Sequence, residues 1–163
     1  MESMDFAGSL ALVVPTLNEA DNIGTLLDAI QQALRPTNIR YIIIVVDDSS
    51  TDGTPHVVRK HMRRDDRIKL LERTGKNGLA GAILDGWAHN DADLLGVMDA
   101  DLQHPPALLP DLLAAVKNGA DIAIGSRYAK QNGVQGWNPI RAAISRVSTL
   151  ATRPLLSKKL NVT

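Results

Sequence analysis

The sequence contains no cysteine, and of its 163 residues only one Phe, two Trp and two Tyr are aromatic. Without cysteine there is neither a disulfide framework nor a thiolate metal site, which suits a reducing compartment. So few rings leave an aliphatic core and almost nothing on which nucleobases could stack. No apolar run approaches the roughly 18 residues that a spanning helix needs. The first residues, MESMDFAGSLALVVP, have acids where a secretory signal carries positive charge. The chain therefore reads as soluble or peripheral to a membrane. Acid is missing from one region as well. All 18 Asp and Glu lie within residues 1–121, beside 11 Lys and Arg, for a balance of −7; residues 122–163 hold seven basic residues and no acid. A net charge of zero thus conceals a basic end that suits an anion. With no nucleic-acid-binding motif and so few aromatics, a phosphate-bearing ligand or an anionic membrane surface fits that end better than nucleic acid.

What is present is 44% hydrophobic, enough for one core in one domain of ordinary size. Short aliphatic runs alternate with helical spacing. SLALVVPTL (Ser9–Leu17), YIIIVVDDSS (Tyr41–Ser50), RIKLLE, DLLGVMDA and DIAIGSR read as strands. The second is β-branched and apolar on both faces, as in a parallel sheet covered on both sides. Between them, Asn18–Leu34 places Ile23, Leu26, Leu27, Ile30 and Leu34 on one helical stripe. TPHVVRKHMRR opens with Thr54 as N-cap and Pro55 in the first turn, GLAGAILDGWAHN follows a Gly-Lys-Asn-Gly loop, and PPALLPDLLAAVKNG runs to Gly119. The order βαβαβαβαβ predicts an α/β domain with a mostly parallel sheet. After Gly136, Trp137, Ile140, Ile144, Val147 and Ala151 form an apolar stripe beside Arg141, Ser145 and Arg146. Such a segment either lies in a membrane interface or packs on the domain with a solvated basic edge.

Ligands of open α/β sheets bind outside the carboxyl ends of the strands. Three of the predicted strands end there in polar motifs: PTLNEADN, DDSSTDGT and DADLQHPP. In the last, Asp99 and Asp101 are i and i+2, so on a strand both carboxylates face one side, about 6–7 Å apart along the chain. Two carboxylates that close need raised pKa values or a cation. Hard oxygen donors suit Mg²⁺ or Mn²⁺, with Gln103 as a further oxygen; the alternative is a strand end running into solvent. Asp52, Gly53 and Thr54 are accounted for as a turn and a cap, which leaves Asp47 and Asp48 unexplained. Asn18, Glu19 and Asp21 read equally well as the capped start of a helix.

VVPTLNE, VVDDSSTDGT, GKNGLAGAILDGW, MDADLQHPP and IGSRY, in this order and at this spacing, resemble the family 2 glycosyltransferases of the GT-A fold. Within that family they look most like the dolichol- and polyprenol-phosphate mannosyltransferases. The resemblance runs from about Leu10 to Ser145. It implies a Rossmann-like sheet and inverting transfer of mannose from GDP-mannose to dolichyl or polyprenyl phosphate with Mg²⁺ or Mn²⁺. By position it assigns Pro15, Leu17, Glu19, Val46, Asp48, Lys76, Asp99, Ala100 and Asp101 to the nucleotide-sugar donor, and Asp99, Asp101 and Gln103 to the metal. Arg127, Arg141 and Ser145 fall to the acceptor phosphate, and Asp99, Asp101 and Arg127 would be the catalytic set. It places the protein at the cytoplasmic face of a membrane and leaves open a membrane-anchoring subunit.

Residues 1–136 would form the donor- and metal-binding core, and residues 137–163 the acceptor- and membrane-facing segment. Three features depart from the pattern. Leu17 stands where many relatives have Tyr, GKNGLAGAI is looser than the usual Gly-Leu-Gly loop, and the chain ends at Thr163, before the further strands and basic residues of relatives. Two alternatives follow: a same-fold transferase using another nucleotide sugar such as UDP-glucose, or a truncated fragment that binds nucleotide without turnover. His104, before two prolines, reads as a loop residue near the metal and not as a base.

Overall fold

Four of the aliphatic runs form one parallel sheet: β1 (Ser9–Thr16), β2 (Arg40–Asp47), β3 (Ile68–Glu72) and β4 (Leu94–Val97), in the order β3-β2-β1-β4. The computed structural model describes residues 8–75, 78–88 and 90–125. Nearly all of these belong to one compact unit that ends at Ala123.

Side chains alternate across the central strands and fill two layers. Leu10, Leu12 and Val14 of β1, with Ile43 and Val45 of β2 and Ile68 of β3, meet Ile23, Leu26, Leu27, Ile30 and Leu34 of α1 (Ala20–Leu34) and Val58 of α2 (Thr54–Met62). Leu109 and Leu113 of α4 (Leu109–Lys117) join the same cluster. On the other face Ala11, Val13, Ile44 and Val46 pack against Ala82 of α3 (Gly78–Ala88). The apolar stripe expected on the first helix is therefore the one buried.

Differences from expectation have local causes. The first helix begins at Ala20, because Asn18 adopts a left-handed φ of 58° and Glu19 becomes the N-cap. The cap of α2 is Gly53, at φ 98°, and Thr54 is already helical, its hydroxyl drawn into contacts outside the helix. β4 stops at Val97, short of the aspartates. Residues 121–125, expected as a fifth strand, form none. Ile122 there is 77% exposed, and on β4 Leu95 and Val97 are exposed too, so no apolar partner holds that segment flat among the described residues.

α3 comes unusually close to the sheet at Gly86. A Cβ built there would stand 2.6 and 2.8 Å from the Val13 methyls and 3.0 Å from a Val46 methyl. Both valines are short, β-branched and fully buried, so neither can swing away. Gly86→Ala should therefore destabilise the fold by about 1–3 kcal/mol through overpacking, offset by up to about 1 kcal/mol of helix propensity. Urea unfolding of both proteins measures this, and a variant more stable than wild type would contradict the close approach.

Candidate active site

The strand order reverses between β1 and β4: the chain steps from β1 to β2 and β3 on one side, then returns to β4 on the other. Crevices at such a switch point are where open α/β sheets bind ligands. The loops that follow β1, β2 and β4 meet at this carboxyl edge, and each contains a non-glycine residue with positive φ. These are Asn18 (58°), Ser49 (68°) and Leu102 (58°), three of the four such residues described. Left-handed backbone outside glycine costs about 1–2 kcal/mol per residue unless its surroundings enforce it. Here they do. The Asn18 Oδ1 accepts the Thr51 N–H at 2.9 Å, the Ser49 hydroxyl donates to the Arg73 carbonyl at 3.0 Å, and Asp101 Oδ1 accepts the Gln103 N–H at 3.0 Å.

The first two loops are laced into one unit. The Asn18 N–H donates to the Ser50 hydroxyl at 2.8 Å, and the Glu19 N–H to the Thr54 hydroxyl at 2.8 Å. The Asp52 carboxylate accepts from the Ala20 N–H at 2.9 Å, from the Thr54 N–H at 3.0 Å and from the Thr54 hydroxyl at 2.6 Å. One side chain thus satisfies orphan N–H groups at the starts of two helices. These bonds, first that from the Thr54 hydroxyl and then that from the Ala20 N–H, hold the Asp52 carboxyl below the usual range. The turn-and-cap reading of Asp52 is right for its own helix but incomplete, since the same carboxylate also anchors the loop after β1.

The paired aspartates at the end of β2 divide the work. Asp47, 2% exposed, is consumed by the fold: it accepts from the Thr16 hydroxyl at 3.1 Å, from the Ser50 N–H at 2.9 Å and from the Ser50 hydroxyl. Asp48, 8% exposed, has an Oδ1 with no hydrogen bond and lies 3.6 Å from the Arg73 guanidinium. Arg73 carries no signal in the sequence beyond being a lone cation just past a strand on this edge.

Although β4 ends early, burial still alternates beyond it: Met98 and Ala100 enter the core while Asp99 and Asp101 stay exposed. The two carboxylates thus emerge on the same side, as i and i+2 require. Asp99 is within 3.7 Å of the His104 ring. Among the described residues no group of three or more His, Cys, Asp or Glu is arranged around a common point. Asp99 and Asp101 are two exposed carboxylates, with the Gln103 N–H bonded to Asp101. Such a set fits a hard divalent ion that keeps water and substrate phosphate in its remaining positions.

Of the other predicted residues, Pro15, next to last in β1, is half-buried, Leu17 is 45% exposed at the rim, and Glu19 Oε2 accepts from the Asn22 amide at 2.8 Å. The Val46 side chain is wholly buried under α3 and faces the core, so it packs and offers a ligand no side-chain surface. Lys76, Arg127, Arg141 and Ser145 lie outside the described residues.

Residues 11–162 match the family described as glycosyl transferase family 2. The chain is 40% identical over 149 residues to a dolichol-phosphate mannosyltransferase of Pyrococcus furiosus, covering 91% of this chain and 42% of the relative. It is 37% identical over 149 residues to a polyprenol monophosphomannose synthase of Mycolicibacterium smegmatis, covering 89% and 55%. It thus spans about half the length of the curated relatives it matches. Among solved structures, a mannosyltransferase from Pyrobaculum calidifontis in complex with GDP-Man and Mn²⁺ superposes with TM-score 0.59 at 29% identity, over 68% of this chain and 33% of that one. Glucosyl-3-phosphoglycerate synthase from Mycobacterium tuberculosis, at 20% identity and TM-score 0.55 over 68% of this chain and 40% of that one, shares the fold. The architecture is that of the GT-A nucleotide-sugar transferases.

The Asp52 junction has a pH signature. A carboxyl held below its unfolded value, about 3.9, stabilises the fold fully above that pH and loses the contribution as pH falls through the lowered value. Asp52→Ala should be less stable than wild type at neutral pH, with the gap closing as the pH is brought below the ordinary Asp range. Denaturant midpoints between neutral pH and pH 3 test this, and a gap that does not narrow would contradict it.

Proposed function

This chain belongs to glycosyl transferase family 2, and we propose that within it the chain transfers mannose from GDP-mannose to a polyprenyl or dolichyl phosphate. The observation that supports this most is that Asp48, beside the buried Arg73, and the exposed pair Asp99 and Asp101 follow β2 and β4 on the same carboxyl edge of one parallel sheet. The names of the relatives and the GDP-Man and Mn²⁺ of the superposed mannosyltransferase point the same way.

In this reading the nucleotide lies along the laced loops, against Pro15, Leu17, Glu19 and Asp48. Asp99, Asp101 and Gln103 would hold Mg²⁺ or Mn²⁺, which when bound would supply Lewis-acid stabilisation of the leaving diphosphate. Ala100, buried between the two aspartates, fixes their direction. The Asp101 bond to the Gln103 N–H holds the carboxylate in place before any ligand arrives, so little ordering remains at the moment of reaction. The acceptor is a phosphate whose second pKa is about 6, so it is already ionised at neutral pH and no strong base is required. His104, turned toward Asp99, orients that carboxylate. Arg127, Arg141 and Ser145 would grip the acceptor phosphate, Lys76 the donor, and attack from the far side of the sugar would invert the anomeric carbon. The lipid acceptor brings the reaction to a membrane surface. Among the described residues no helix is long and apolar enough to cross one, and the basic C-terminal residues suit contact with its anionic surface.

Titration calorimetry with GDP-mannose, with and without Mn²⁺, tests the reading. Binding should depend on the metal and weaken on the order of a hundredfold in Asp101→Ala, since even outer-shell partners of metal sites are worth about 10–100-fold. Metal-independent binding, or tighter uptake of UDP-glucose, would contradict it.

A further inference from the structure

The least satisfied buried polar cluster among the described residues lies just behind the nucleotide edge. Arg73 follows β3, and its side chain is 5% exposed. One guanidinium nitrogen, Nη1, donates to the Gly78 carbonyl at 3.2 Å and stands 3.6 Å from Asp48 Oδ1. Nε lies 3.0 Å from an Asp85 carboxylate oxygen, an ion pair by distance whose angle falls short of a hydrogen bond. Nη2 and Asp48 Oδ1 have no hydrogen bond. The backbone of Arg73 is itself pinned from both sides, its N–H to the Asp47 carbonyl at 2.9 Å and its carbonyl to the Ser49 hydroxyl at 3.0 Å.

An arrangement selected for stability alone would not leave a buried carboxylate oxygen and a guanidinium N–H group unbonded at one place, since each such atom costs free energy. The same arrangement is well suited to holding a carboxylate in one direction, with Oδ1 turned inward to the guanidinium. We propose that Arg73 is a positioning residue for the donor site: it spans from the start of α3, through Gly78 and Asp85, to Asp48, and sets the direction in which Asp48 meets the nucleotide. The inference rests on the donor reading of this edge, and gives that reading a residue that touches no ligand itself. It also couples α3 to the loop after β2, so Gly78 and the Asp48 carboxylate are placed together.

Two measurements on the full chain test this. The first needs no ligand. Amide hydrogen exchange of Arg73→Gln should rise over residues 47–52 and over the first turn of α3 from Gly78, and stay unchanged over β1 and α1. Unchanged exchange in residues 47–52, or a uniform rise across the chain, would overturn the proposal. The second is GDP affinity in the presence of Mn²⁺ for Arg73→Gln, Asp48→Asn and the double variant. Each single variant should bind about tenfold more weakly, the order expected for one charge-assisted contact. The double variant should bind no more weakly than Asp48→Asn, because a residue acting through Asp48 has nothing left to act on.

Independent, additive losses would mark Arg73 as merely structural and overturn the role assigned to it. Arg73→Lys keeps the buried charge but cannot span all three partners. It guards against a misfolded Gln variant and should also lose affinity at an unchanged melting temperature; wild-type affinity in the Lys variant contradicts the proposal. A wild-type chain that takes up no GDP overturns the donor reading, and the exchange measurement then decides alone whether Arg73 joins the two segments.

Discussion

At the carboxyl edge of the sheet, one carboxylate closes two helix starts. Asp52 accepts the first N–H of α1 and the first N–H of α2, while the Thr54 hydroxyl it holds accepts the Glu19 N–H. Neither loop could take its conformation alone. Asn18 is in left-handed backbone because its side chain and its N–H are both engaged by the neighbouring loop, and Ser50 reaches back to it while its own N–H and hydroxyl are held by Asp47. The rest of the site inherits this placement: Pro15, Leu17 and Glu19 on one side of the knot, Asp48 on the other.

Fixing these loops in advance matters chemically. A nucleotide that had to order two loops would spend binding free energy on their lost freedom, about 1–2 kcal/mol per backbone residue. Here the hydrogen bonds inside the protein have already met that cost. The acids are also sorted by environment. Asp47 and Asp52 accept several donors each, Asp48 keeps a buried oxygen without a hydrogen bond beside Arg73, and Asp99 and Asp101 are exposed. In the function proposed above, a cation or a polar ligand would complete Asp99 and Asp101 and be redundant at Asp47 and Asp52.

Much of this was legible in the sequence. The strands were recognisable because a parallel sheet covered on both faces needs continuous β-branched runs, as in YIIIVV, and α1 because its apolar residues recur at helical spacing. The three polar motifs at the strand ends do fall on one carboxyl edge of the sheet. What could not be read was the work done across space. DDSSTDGT contains three aspartates that look alike in one dimension, and only the position of Thr16, Ala20 and Arg73 distinguishes a turn-builder from a clamp and from a residue left for a ligand. Gly53 displaced Thr54 as the cap for the same reason, because the threonine hydroxyl is used by the other loop. Val46, assigned to the donor by position, faces α3 because strand alternation leaves it no choice. The run DIAIGSR had the composition of a strand but lacks an apolar partner among the described residues.

In the function proposed above, a divalent ion and a nucleotide meet at the switch point between β1 and β4. Trace Mn²⁺ added with GDP to the isotopically labelled chain, followed by amide line broadening, tests it most directly. The predicted broadening centres on Ala100, Asp101 and Leu102, extends to Asp48 and Ser49, and spares Ser9, Arg40 and Ile68 at the opposite ends of the strands. Broadening centred on another acidic pair, such as Asp65 and Asp66 before β3, with Ala100 to Leu102 left sharp, would contradict it.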